Sequence, residues 1–146
     1  MDLLNLPRLD KHSVKSSFNR AAKNYDQAAV LQEEVLSRLL QRLTYINHAA
    51  DVVIDIGCGT GKSISSLRKQ YAGSRVYGLD LAHAMLLEAR QYFGLFRGKF
   101  LINADMEQLP LMDSSVDLVV SSLALQWSNN LASTFSEIRR ITRPGG

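Results

Sequence analysis

The sequence carries a single cysteine, Cys58, in 146 residues, so it has no internal disulfide and is not a stapled secreted scaffold. Long apolar runs are also missing. Stretches such as VVI at 52–54 and LVV at 118–120 fall far short of the roughly 20 residues that cross a bilayer. The opening MDLLNLPRLDKHS lacks the basic, apolar and small-residue succession of a secretory leader. These absences point to the cytoplasm and to a chain with no membrane partner. Nor is charge of one sign concentrated. The 17 Lys and Arg and 14 Asp and Glu are interspersed and leave a net charge of +3, so no nucleic-acid surface is expected. His12, His48 and His83 stand apart and read as exposed, and Cys58 has no His or Cys at a ligand spacing, so no metal site is expected.

What is present is one globular domain's worth of apolar residues, 46% of the chain, in two regimes. Residues 1–48 read as a helical arm and first helices. Ser13 is placed to cap a helix with Val14, Phe18, Ala21, Ala22 and Tyr25 at helical spacing. Asp26 is placed to cap a second, with Leu31, Val35, Leu39, Leu43 and Ile46 as its apolar stripe. From residue 49 the pattern alternates between strand and helix. VVIDI at 52–56, RVYGLD at 75–80, KFLIN at 99–103 and VDLVVSS at 116–122 read as strands, and a last helix carries Leu131, Phe135, Ile138 and Ile141. Alternation of this kind predicts an α/β, doubly wound parallel sheet over 49–146.

The stretch DIGCGTGKS at 55–63 joins the first strand to a helix. Gly57, Gly59 and Gly61 let the backbone turn sharply beside a ligand, and the helix start favours a negative group. A phosphate-cradling loop requires glycine where Ile56 stands, and a dinucleotide loop requires it at Lys62, one residue past Gly61. The first pattern fails at a defining position; the second fits less well. Asp80 ends the second strand, where nucleoside-binding folds in general place a carboxylate against ribose hydroxyls.

D-x-G-x-G-x-G resembles the first motif of the class I S-adenosylmethionine (SAM)-dependent methyltransferases. The resemblance implies a Rossmann-like sheet with strands in the order 3-2-1-4, and a loop of Asp55, Gly57, Cys58, Gly59 and Gly61 around the cofactor's methionine end. It implies Asp80 on the ribose, Leu81 and Met85 on the adenine faces, and Asp105 with Met106 at the adenine amino edge. The arm FNRAAKNYD at 18–26, ADMEQLPLMDSSVDLVVSSLALQW at 104–127 and EIRRITRPGG at 137–146 resemble, more narrowly, the malonyl-acyl carrier protein O-methyltransferase family.

That narrower likeness implies methyl transfer to the free carboxylate of a malonyl thioester in early biotin synthesis, with S-adenosylhomocysteine as product and acyl carrier protein as partner. It places Phe18, Arg20, Tyr25, Gln126 and Trp127 on the substrate side, with no catalytic base. A methyltransferase of a quinone or another small molecule, and an inactive SAM-binding fragment, are the alternative readings. Because class I enzymes build seven strands and this chain supplies four, it is expected to be truncated, to turn over little, and to self-associate through a bare fourth-strand edge at Val116–Val120.

Overall fold

The computed structural model describes residues 8–96 and 99–146; the first seven residues of the predicted arm lie outside this range. The helices are α1 (Lys11–Ala21), α2 (Tyr25–Ala28), α3 (Val30–Leu43), α4 (Lys62–Gln70), α5 (His83–Ala89) and α6 (Leu131–Ile141). Short 3-10 turns span Ala22–Asn24 and Leu125–Trp127, and Arg90–Phe96 holds 3-10 turns broken by a kink at Gly94. The strands β1 (Val52–Ile56), β2 (Arg75–Asp80), β3 (Leu101–Asn103) and β4 (Leu118–Val120) form one parallel sheet in the order β3-β2-β1-β4.

Strand β1 is central, and all five of its residues are buried, as a parallel strand covered on both faces requires. Alternate side chains feed two cores. Val53 meets Ile64, Leu67, Tyr71 and Leu43 beneath α3 and α4, whereas Ile54 and Ile56 meet Leu79, Leu109, Val116 and Ile141 beneath α6. Asp55 has the parity of Val53, so it points toward α4 rather than α6.

Several expectations need correction. Asp10, not Ser13, caps α1: its carboxylate accepts from the His12 N–H at 3.0 Å and the Ser13 hydroxyl at 2.5 Å. The second predicted helix is broken at Ala29, and Asp26 caps nothing; its carboxylate accepts from the Thr60 hydroxyl at 2.8 Å instead. The stripe of α3 is rotated, since Leu31 and Ile46 are 66% and 55% exposed while Leu39, Leu40 and Leu43 pack on the core. The fourth strand is shorter than VDLVVSS suggests, because the chain turns sharply after Ser122, with Leu123 at φ +50°. Its edge is also not bare along its whole length, since Val116 pairs with Thr142 in a parallel bridge.

One side chain joins three stretches at the other end of the sheet. Asp117 Oδ2 accepts from the Asp51 and Val52 N–H groups at 3.0 and 2.9 Å, and Arg143 Nη1 donates to both carboxylate oxygens at 2.8 Å. The guanidinium and these amides hold the carboxyl below its ordinary range. His48, expected to be exposed, is half-buried with Nε2 3.0 Å from the Asp117 carbonyl. Asp117→Ala leaves two amides and a guanidinium without their acceptor and is expected to cost about 2 kcal/mol of stability in urea denaturation. A loss under about 0.5 kcal/mol would place this joint among ordinary surface contacts.

Candidate functional site

The loop leaving β1 and the end of β2 are one unit. The N–H groups of Gly57 and Cys58 donate to the Leu79 carbonyl at 2.7 and 3.0 Å, and the Gly59 N–H donates to Asp80 Oδ2 at 2.9 Å. Gly57 also meets the loop after β4: a Cβ there would lie 2.3 Å from the Ala124 Cβ. At Gly61 a Cβ would lie 2.7 Å from the Ala89 Cβ of α5. Gly61 is therefore a packing glycine, and it lies outside the cleft that this loop lines.

Asp55 is 4% exposed. Its Oδ2 accepts from the Ser63 hydroxyl, and its Oδ1, although buried, has no partner among the described residues. Burial pushes its carboxyl up to about 6, the Ser63 hydroxyl opposes this, and nearby Asp80 adds to it. Asp80 is raised by burial and held down by the N–H groups of Ala82, at 2.8 Å, and Gly59. Two carboxylates thus sit where water is scarce, one with an oxygen unsatisfied, which is an arrangement that attracts a cation or a donor-rich ligand. Burial pushes the Cys58 thiol well up, and its sulfur packs over Gly78 of β2, so it is inert.

The remaining walls of the cleft come from Leu81 and Met85, from Asp105 and Met106, and from the arm. Phe18 lies edge-on to Trp127 at 5.3 Å between centroids and 6.2 Å from Tyr25. Burial and the charges of Asp80 and Asp26 raise the Tyr25 phenol, which keeps it neutral. Hydrogen bonds fasten the arm at two further places: the Ala84 N–H at the start of α5 donates to Asn19 Oδ1 at 2.9 Å, and Leu9 and Asn129 exchange two hydrogen bonds of 2.7 and 2.9 Å.

Of the residues singled out from sequence, Asp55, Gly57, Cys58, Gly59, Asp80, Leu81, Met85, Asp105, Met106, Phe18, Tyr25 and Trp127 converge on this cleft. Gly61, Arg20 and Gln126 do not. Arg20 is exposed and donates to Ser16 and Ser17, and Gln126 is exposed. Lys11, Asp26, Glu33, Thr60, Lys62 and Leu123 line the cleft without having been anticipated. Thr60, inside the glycine loop, and Lys62, adjacent to its last glycine, carried a local signal. Lys11 bridges Asp105 and Glu107 at 3.1 and 2.9 Å, a contact between distant segments.

Residues 54–146, which contain the loop, both carboxylates and all of the sheet but the first two residues of β1, match the family described as a methyltransferase domain. The chain belongs to this family. The chain is also similar, over nearly all of its length, to curated malonyl-[acyl-carrier protein] O-methyltransferases. That of Nitrosospira multiformis is 44% identical over 94% of this chain and 50% of its own length, and that of Laribacter hongkongensis is 46% identical over 94% and 49%. The chain spans about half the length of these relatives.

Among solved structures, a protein of Methanococcus maripaludis assigned as an S-adenosyl-L-methionine-dependent methyltransferase superposes with a TM-score of 0.74 at 25% identity, over 88% of this chain and 60% of its own. An S-adenosylmethionine-dependent methyltransferase of Mesorhizobium loti gives 0.60 at 30% identity, over 75% and 49%. The sheet order and flanking helices are those of the class I methyltransferase fold, as the resemblance implied.

Proposed function

We propose that the cleft binds SAM, and that the protein to which this chain belongs methylates the free carboxylate of a malonyl thioester on acyl carrier protein, in the cytoplasm, early in biotin synthesis. The observation that carries the cofactor assignment is the pairing of the unsatisfied Asp55 Oδ1 with Asp80 across one glycine loop. The acceptor assignment is supported by relatives of that name at 40–46% identity over 94% of the chain.

When bound, the cofactor would supply an electrophilic sulfonium methyl for transfer to a carboxylate oxygen, with S-adenosylhomocysteine left as product. Asp55 Oδ1 accepts the ammonium of the amino-acid end, and Asp80 uses its remaining lone pairs for the ribose hydroxyls. Leu81 and Met85, which line the cleft, would flank the adenine, and Asp105 would accept from its amino group. Phe18, Tyr25 and Trp127 exclude water on the acceptor side, where desolvation strengthens every charge interaction. An acceptor carboxylate is ionised at neutral pH, so these residues need to position it rather than take a proton from it.

Calorimetric titration of the chain with SAM, S-adenosylhomocysteine and NAD tests this reading. Binding of both sulfur nucleosides, with NAD at least tenfold weaker, is expected. Preference for NAD, or no binding of any of the three, overturns it.

A further inference from the structure

Lys62 opens α4 directly after Gly61 and lines the same cleft as Asp55 and Asp80. Its ammonium is paired with Glu33 of α3, and Asp26 Oδ1 stands 3.7 Å away, itself held by the Thr60 hydroxyl. The next residue, Ser63, is the one bonded to Asp55. A cation, its counter-ions and an unsatisfied buried carboxylate oxygen therefore lie at the exit of a single loop.

An α-amino acid end brings one ammonium and one carboxylate. The ammonium has an acceptor in Asp55 Oδ1. The carboxylate needs donors, and the N–H groups of Gly57, Cys58, Gly59 and Gly61 are already committed to Leu79, Asp80 and Cys58, which leaves the start of α4, where Lys62 adds a side-chain cation. The cleft's other lysine, Lys11, is engaged on the opposite wall by Asp105 and Glu107. The Lys62–Glu33 pair is partly exposed, and such pairs are weak, so exchanging Glu33 for a ligand carboxylate costs little.

We propose that Lys62 receives the carboxylate of the cofactor's amino-acid end, with Glu33 as the counter-ion it releases. This inference rests on the cofactor reading above and adds to it the residue that selects an intact amino-acid tail. A pure nucleoside gains nothing from Lys62, whereas a ligand with a free carboxylate exchanges one ion pair for another.

Two probes separate the possibilities: S-adenosylhomocysteine, and 5′-methylthioadenosine, which keeps the nucleoside and thioether but lacks the amino-acid end. Lys62→Met is expected to weaken S-adenosylhomocysteine about 10- to 30-fold in calorimetry. It should leave 5′-methylthioadenosine within about twofold, and Lys62→Arg should retain most of the wild-type affinity. Thermal melts of the two variants report on folding. A Lys62→Met chain that binds S-adenosylhomocysteine as the wild type does, or that loses both probes equally, overturns the role of Lys62. A wild-type chain that binds neither probe removes the cofactor reading instead, and this inference with it.

Discussion

Asp55→Asn is expected to stabilise the empty chain at pH 8 while weakening cofactor binding at least tenfold. The carboxyl is pushed up to about 6 in the fold, above the ordinary value of 3.8. Between those values folding takes up a proton, so this group's contribution is most favourable below pH 4 and is lost as pH rises through 6. The ionised, half-satisfied carboxylate therefore costs the folded state on the order of 2–3 kcal/mol at pH 8, a penalty that asparagine avoids. The gain in melting temperature should be clear at pH 8 and vanish near pH 4.

Binding should respond in the opposite sense. A ligand ammonium on Asp55 Oδ1 favours the ionised form, so wild-type affinity for SAM is expected to fall about tenfold per pH unit below 6. The variant has no charge to offer, and its weakened affinity should be flat with pH. Wild-type affinity in Asp55→Asn at pH 8 would falsify the assignment of this carboxylate to the ligand's cation.

Gly57→Ala is the second large effect, and it acts on the fold. The added Cβ would meet the Ala124 Cβ at 2.3 Å while the backbone holds φ at +77°. Clash and left-handed strain together are expected to cost about 3–4 kcal/mol in denaturant unfolding. Gly59→Ala is the internal control, because φ there is +53° but an added Cβ meets no atom of the described residues within 4 Å, so strain alone leaves about 1 kcal/mol. In the pair Gly57→Ala, Ala124→Gly the clash is relieved and the strain is not, so a coupling of at least 1 kcal/mol is expected. Additive losses would show that the two loops do not interlock.

The legible parts of this protein were those encoded over short spans. VVIDI, the alternate glycines and RVYGLD carry their strand and turn signals within a few residues, so β1, the loop, β2 and Asp80 could be placed without a structure. The strand order came from resemblance rather than from periodicity. What escaped was set by contacts between distant segments. Asp26 had the look of a helix cap, but its partner Thr60 lies 34 residues away. Lys11 and Asp105 are separated by 94 residues. Arg20 was drawn into the site by its motif, yet Asn19 beside it fastens the arm to α5, and a capping interaction across 65 residues leaves no local trace.

The joint at Asp117 also bears on the order of assembly. It gathers amides 66 and 65 residues earlier in the chain and a guanidinium 26 residues later. The entropy of closing such long loops is recovered only after the intervening crossovers are laid down. Asp117 therefore records that folding is complete rather than starting it, and its loss would show chiefly as faster unfolding.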